Sequence, residues 1–186
     1  MILPRFLPSP HCDDRPPGTV IDLLVVHAIS LPPGEFGGDF VDDLFLGRLE
    51  AAAHPSFEEI CRLRVSAHFL VGRGGGVTQY VPVMKRAWHA GVSSWEGRER
   101  CNDFSVGVEL EGDAKTPFTG LQYEALTTLV AVLSRRLAGL CPDRIVGHQD
   151  VAPGRKWDPG PCFDWSHFRG LLRRGVALPA WEPVWE

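Results

Sequence analysis

The stretch His148-Gln149-Asp150-Val151-Ala152-Pro153-Gly154-Arg155-Lys156-Trp157-Asp158-Pro159-Gly160-Pro161 gathers an imidazole, an ammonium and a carboxylate in one loop. Its prolines and glycines exclude regular structure, and such loops carry function more often than packing. Two further polar residues, His27 and Glu109, interrupt otherwise apolar runs. Two histidines and a carboxylate suit a catalytic zinc, which takes three protein ligands and keeps a fourth position open for water. There is no HExxH helix, so the ligands would have to converge from distant strands.

The residue types leave the third ligand open. Asp150 lies two residues from His148, a spacing that suits a local turn or cap role. Cys162 would give a histidine, histidine, thiolate site, and Asp158 a carboxylate one; thiolate and carboxylate are both competent zinc ligands. His27 on its own reads equally as a buried core histidine. Glu109 falls opposite Val106, Val108 and Leu110 in a regular strand, on the face shared with Glu111. There it is either solvent-exposed or a general base beside a metal. Lys156 is either a solvated loop lysine or a positive charge facing a developing oxyanion.

The elements that must position these groups are short. Residues 21–27 form a nearly continuous apolar run that predicts a buried strand ending on His27. Residues 31–38, rich in Pro and Gly, break all periodicity, and 40–60 holds at most short helices, at 42–49 and 56–61. A long, partly irregular segment this near the candidate site predicts a lid or wall. Residues 65–71 and 77–83 read as a hairpin turning at 73–76, and 105–111 as an alternating strand. Thr119 predicts an N-cap for a helix over 120–138, with apolar residues at helical spacing. A short strand over 143–147 leads into His148, and 164–174 is an amphipathic helix with Asp164 as its cap. The tail 177–186, with three prolines and two tryptophans, is predicted irregular. This order implies a mixed β-sheet flanked by helices, an α/β or α+β layer architecture.

Composition narrows the classes of function. A chain of 186 residues fits one domain, expected over 1–186 with its core at about 8–172, and buries roughly 70% of its unfolded surface. Hydrophobic residues make up 44% and charged residues 23%, an ordinary soluble composition, and no apolar run approaches the roughly 20 residues that cross a bilayer. Prolines interrupt the N-terminal stretch where a signal peptide needs an unbroken apolar core, which predicts a cytoplasmic protein. The five widely spaced cysteines, without a CxxC pair, suit reduced thiols. A net charge of -4 with scattered basic residues argues against nucleic acid as a partner.

Several motifs together carry a family resemblance. Val25-Val26-His27, Arg64-Val65-Ser66-Ala67-His68, Lys85-Arg86-Ala87-Trp88-His89-Ala90-Gly91, Cys101-Asn102-Asp103-Phe104-Ser105, Gly107-Val108-Glu109-Leu110-Glu111-Gly112 and the Lys156/Asp158 loop closely resemble the AmpD-type amidases. These are 1,6-anhydro-N-acetylmuramyl-L-alanine amidases of cell-wall recycling, within the wider zinc amidase and peptidoglycan-recognition family. The resemblance runs from about Pro8 to Leu172. It implies a mixed sheet carrying one zinc on His27, His148 and Asp158, which decides between Asp158 and Cys162. It also makes Glu109 the catalytic glutamate and Lys156 the lysine on the oxyanion side. The implied reaction is hydrolysis of the amide between anhydro-N-acetylmuramic acid and L-Ala of the stem peptide; from charge and apolar-run length no nucleic-acid or membrane partner is expected, and a monomer is expected.

A stem peptide carries carboxylates that Arg64 and Arg100 could clamp, unless each serves a surface ion pair. Trp88 offers a flat face to sugar or peptide, or packs half-buried, while His68 and His89 read as core histidines or outer partners of the site. Five features depart from the family pattern: Ala28 in place of Asn after His27, Trp157 in place of Thr between Lys156 and Asp158, the glycine-rich turn after Arg73, a different N-terminal stretch and a Trp- and Pro-rich C-terminal tail. Two rival readings keep the fold. One is a muropeptide-binding sensor without turnover, which would lack zinc; the other is a broader peptidoglycan amidase, which would cleave non-anhydro muropeptides as well.

Overall fold

The computed structural model describes residues 4–186. Its strands are β1 (Arg5–Phe6), β2 (Cys12–Asp14), β3 (Leu23–Ile29), β4 (Phe69–Val71), β5 (Val77–Gln79), β6 (Lys85–Ala87), β7 (Ser94–Trp95), β8 (Arg98–Glu99), β9 (Ser105–Glu111) and β10 (Ile145–Gly147). The helices are α1 (Phe40–Phe45), α2 (Gly120–Ser134), α3 (His148–Val151) and α4 (Trp165–Arg174). Six strands form the central sheet in the order β1-β5-β4-β9-β3-β10. β4 and β5 are an antiparallel hairpin, and β4, β9, β3 and β10 run parallel. The expected mixed sheet with flanking helices is what forms.

The sheet's two faces follow from period-2 alternation along β3 and β9. Leu24, Val26, Val106, Val108 and Leu110 face α2 and α4, where they pack with Leu126, Leu129, Leu133 and Phe168. Each such side chain contributes about 1.5–3 kcal/mol on full burial. Leu23 and Val25 point the other way, into a smaller cluster with Ala90, Cys101 and Val151. Further along the same two strands, this second face holds His27 and Glu109. β3 is therefore buried on both sides, which explains its unbroken apolar run.

Capping sets the helix starts where the sequence places them. Thr119 Oγ1 accepts from Gln122 N at 3.2 Å and Gln122 Oε1 accepts from Thr119 N at 3.1 Å, a complete capping box. Asp164 Oδ1 accepts from His167 N at 2.8 Å. Several ends fall short of expectation. α2 stops at Ser134 rather than 138 because Arg135 N and Arg136 N bond three residues back, to Val132 and Leu133 carbonyls, tightening the last turn. α1 spans 40–45 rather than 42–49, because Gly47 takes a left-handed φ of 70° and turns the chain. The helix expected over 56–61 is a 3-10 turn at Pro55–Phe57.

The hairpin strands are also shorter than the expected 65–71 and 77–83. Their outer ends pair elsewhere: Ser66 N donates to Trp88 O at 3.2 Å and Val83 N to Val184 O at 3.1 Å. β10 begins at 145 rather than 143, since Pro142–Arg144 forms a 3-10 turn. The tail is irregular, as its prolines require, yet it is docked. Trp181 is buried in the main core, and Val184 exchanges hydrogen bonds with the Gln79 side chain at 2.7 and 2.8 Å.

The segment after β3 packs as a wall. Val41, Leu44 and Phe45 of α1 join Phe57, Ala67 and Tyr80 in a separate apolar cluster. Glu111, at the end of β9, ties the preceding loop to the hairpin turn: its carboxylate accepts from Gly37 N and, at 3.1 Å, from Arg73 N. Among the described residues no helix is long and apolar enough to cross a membrane.

Candidate active site

Three donor atoms from three separate elements meet at the carboxyl ends of the parallel strands. His27 lies near the end of β3, His148 opens α3 directly after β10, and Asp158 follows in the loop. His27 Nδ1 and His148 Nδ1 are 2.9 Å apart, and Asp158 Oδ2 lies 3.1 Å from each. All three residues are buried, and together they form a group able to hold a metal ion. Ligand binding at the carboxyl ends of parallel strands is the general habit of such sheets.

The loop reaches this point through specific bonds. Asp158 O accepts from Gln149 N at 2.9 Å, which folds the loop back onto the start of α3. Asp150 Oδ2 accepts from Gly147 N at 2.7 Å and so serves the local turn. Cys162 Sγ turns to Ala114 O at 3.3 Å. Of the candidates for the third position, Asp158 alone enters the cluster.

The outer ring nitrogens have partners too. His148 Nε2 donates to Ala90 O at 3.2 Å, and that carbonyl also receives Arg155 at 2.6 Å. His27 Nε2 lies 2.9 Å from His89 Nδ1. Partners of this kind orient metal-ligating histidines in general. Two ring nitrogens and a carboxylate oxygen converging at such distances form a donor set of the kind a metal ion takes. A tetrahedral zinc with bonds of about 2.0–2.1 Å would space its ligand atoms about 3.3 Å apart. The observed 2.9–3.1 Å is a few tenths tighter, so the donor set fits such an ion.

Burial pushes the His27 imidazole down to about 4, with Asp158 opposing and His148 reinforcing the shift. The ring is therefore neutral near pH 7 and able to ligate. Burial also acts to raise Asp158, but hydrogen bonds to His148 and His27 outweigh it and hold the carboxyl below its ordinary range. Both side chains rest in the forms a metal requires.

Glu109 completes the chemistry. It pairs in register with His27 across β9 and β3, so both side chains leave the sheet on one face. It is buried rather than solvated, and its Oε2 has no hydrogen-bond partner among the described residues. Burial raises its pKa well above the usual carboxylate range, the Asp158 charge adds to this, and Lys156 opposes it. A cleft of roughly 260 Å³ opens here, lined by the three donors, Glu109, Lys156, Trp88 and Trp157, with Leu44 and Phe45 of the α1 wall.

The remaining candidates are placed differently. Trp88 lines the cleft and is half-buried, its Nε1 donating to Asp13 at 3.1 Å. The Arg64 guanidinium lies above it, 6.0 Å from the ring centre. Arg100 faces a neighbouring cleft with Arg155 and pairs with Asp103 at 3.3 Å, so it is not brought to the donors. Trp157 stands 49% exposed at the rim. His89 was readable only as a core or outer residue, and Ser105 carried no signal beyond sharing Glu109's face by alternation. Both lie directly behind His27.

Comparison with known proteins identifies the family. Residues 17–161 match the model of the N-acetylmuramoyl-L-alanine amidase family. The 1,6-anhydro-N-acetylmuramyl-L-alanine amidase AmpD of Enterobacter cloacae is 56% identical over 90% of this chain and 89% of its own. AmpD of Escherichia coli K12 is 55% identical, over 91% and 92%. A crystal structure of a selenomethionine AmpD derivative superposes with a TM-score of 0.88 at 53% identity, covering 91% of this chain and 94% of that one. The Escherichia coli amidase AmiD, in complex with the substrate anhydro-N-acetylmuramic acid-L-Ala-D-γ-Glu-L-Lys, matches at a TM-score of 0.60 and 31% identity, covering 86% of this chain and 60% of that one. By the match over residues 17–161 and by these relatives, the chain belongs to the N-acetylmuramoyl-L-alanine amidase family, in its AmpD branch.

Proposed function

We propose that this protein hydrolyses the amide joining the lactyl group of 1,6-anhydro-N-acetylmuramic acid to L-Ala of the stem peptide, using one zinc ion per chain held by His27, His148 and Asp158. The observation that carries the reading is Glu109: a buried carboxylate that lines the cleft beside the donor cluster, with one oxygen free of any hydrogen-bond partner among the described residues. The substrate class rests on the relatives, whose names and complex specify anhydromuramyl-L-alanine amides.

Zinc in this position supplies a Lewis acid for the amide carbonyl and makes water a stronger acid. Glu109 takes the proton of the attacking water and hands it to the leaving amine of L-Ala. Burial raises its pKa above the ordinary carboxylate range, which makes it a stronger base toward that proton than an exposed glutamate. Lys156 brings its ammonium to the same cleft, where a fixed positive charge stabilises the oxyanion of the tetrahedral intermediate. The α1 wall and Trp88 exclude water from one side, and apolar surroundings strengthen each of these charges.

The test is product analysis by mass spectrometry after incubating the zinc-loaded protein with anhydromuramyl-tripeptide. Free tripeptide and anhydro-N-acetylmuramic acid are expected. Binding without cleavage would favour a muropeptide sensor, and equal cleavage of reducing-end muropeptides would favour a broader amidase.

A further inference from the structure

Behind His27, a line of hydrogen bonds runs away from the cleft to the backbone. Ser105, the first residue of β9 and fully buried, has its Oγ 2.6 Å from Cys101 O and 3.2 Å from His89 Nε2. A carbonyl oxygen only accepts, so the single hydroxyl hydrogen of Ser105 goes to Cys101 at the shorter distance. Ser105 Oγ then faces His89 as an acceptor, and His89 must carry its ring proton on Nε2. In a neutral imidazole that leaves His89 Nδ1 as an acceptor, 2.9 Å from His27 Nε2. His27 in turn donates from Nε2, and the lone pair of its Nδ1 is left pointing at His148 and Asp158.

The line has no slack in its placement. Asn102 Oδ1 accepts from His89 N at 3.2 Å and Ala90 N at 2.8 Å, which fixes the backbone that carries the ring. The ring itself lies against Gly107 of β9, where a Cβ would come within 2.5 Å of His89 Cγ. The absence of a side chain at 107 is what lets His89 reach between Ser105 and His27. His27 and His89 meet edge to face, with ring centres 5.0 Å apart.

We infer that Ser105 and His89 are positioning residues: the Ser105 hydroxyl sets the tautomer of His89, which sets the tautomer of His27 and so presents Nδ1 as a metal ligand. The inference rests on the reading of His27 as a zinc ligand. It differs from the arrangement at His148, whose Nε2 donates straight to the Ala90 carbonyl. A carbonyl can only accept, so His148 needs no relay. His89 could in principle accept or donate at either nitrogen, and the hydroxyl removes that ambiguity.

The test uses zinc-loaded protein with nitrogen-15 labelled histidines and a competitive zinc titration. Wild-type protein should show His89 and His27 both protonated at Nε2. Ser105→Ala removes the one side-chain partner of His89 Nε2 among the described residues and should leave His89 as a tautomer mixture, with zinc affinity lowered roughly 10- to 100-fold, the usual cost of losing such a partner. His89 protonated at Nδ1 in the wild type would overturn the inference without any variant. So would Ser105→Ala that leaves either the tautomer or the affinity unchanged: lost affinity with a fixed tautomer would indicate a packing role only. A wild-type protein that binds no zinc would overturn the proposed function itself, a result separate from these.

Discussion

His27 and Glu109 are direct register partners on the adjacent parallel strands β3 and β9. Strand spacing fixes their backbones about 4.8 Å apart, and the shared face sends both side chains into one cleft. The His27 imidazole and the Glu109 carboxylate, whose Oε2 has no hydrogen-bond partner among the described residues, are thus held by buried strands rather than by loops. Placement on rigid elements is what a proton transfer between fixed positions requires.

This placement predicts the effect of losing the carboxylate alone. Glu109→Gln should lower kcat by about 100- to 10,000-fold, the range ascribed to a positioned general base. Bound zinc should stay at one ion per chain, because Glu109 is not among the three donors. Wild-type turnover by this variant, measured on anhydromuramyl-tripeptide, would remove Glu109 from the mechanism.

Asp158 is expected to behave differently. Asp158→Asn replaces an anionic donor with a neutral amide while keeping the shape. Zinc affinity should fall by more than the roughly 10- to 100-fold that loss of an outer partner costs, and activity should fall with it. Metal analysis after dialysis against a chelator gives the answer; full zinc retention would require a different third ligand.

Trp157 stands at the rim between Lys156 and Asp158, 49% exposed, and its ring covers Gly160, where a Cβ would lie 2.9 Å from the indole. Aromatic faces contribute about 0.5–1.5 kcal/mol to a stacked contact. Trp157→Thr should therefore raise KM by about 3- to 10-fold with kcat within about twofold. A loss confined to kcat would mean that the ring positions its neighbours instead of the substrate.

Acid stability should depend on His68, which lies outside the cleft. Gly107 N donates to its Nδ1 at 3.0 Å, and its Nε2 lies 3.1 Å from Lys85 O and 3.0 Å from Arg15 Nη2. Burial lowers its pKa to about 3, and the Arg15 guanidinium, 3.0 Å away, adds to the shift. His89 is the other titratable neighbour, at 5.9 Å between ring centres. The unfolded chain takes up this proton near pH 6.5 and the folded one does not until about 3. Stability is complete above pH 6.5 and falls as pH drops toward 3, by up to about 1.4 kcal/mol per pH unit. His68→Asn keeps an acceptor for Gly107 N and removes the titration. Urea midpoints at pH 7 and pH 5 should differ less in the variant than in the wild type, and equal differences would exclude His68 as the source.

Much of the framework was legible in the sequence because local rules govern it. The unbroken apolar run before His27 follows from a strand buried on both faces, and the alternation of 105–111 already put Ser105, Glu109 and Glu111 on one side. Thr119 with Gln122, and Asp164 with the backbone of His167, cap their helices within three residues of themselves. Where element ends depend on distant partners, the sequence overshot: α2 ends early, β4 begins late and β5 ends early, the two strands because Trp88 and the C-terminal tail take their outer hydrogen bonds.

What the sequence by itself determined is the set of chemical groups, their strands and, through resemblance, their family. Residue spacing left open which of them meet; resemblance pointed to Asp158, and the tertiary structure supplies the physical reason. Asp150, Asp158 and Cys162 carry comparable chemistry on one loop, and the difference lies in direction: Asp150 bonds its own turn, Cys162 reaches Ala114, and Asp158 is folded back by Gln149 onto two histidines 121 positions apart. The same holds for Arg100, which faces another cleft, and for Ser105 and His89, whose line behind His27 passes between strands and a loop. Spacing along the chain carries no information about such contacts, because side-chain direction across packed elements is set by the register and packing of the whole sheet.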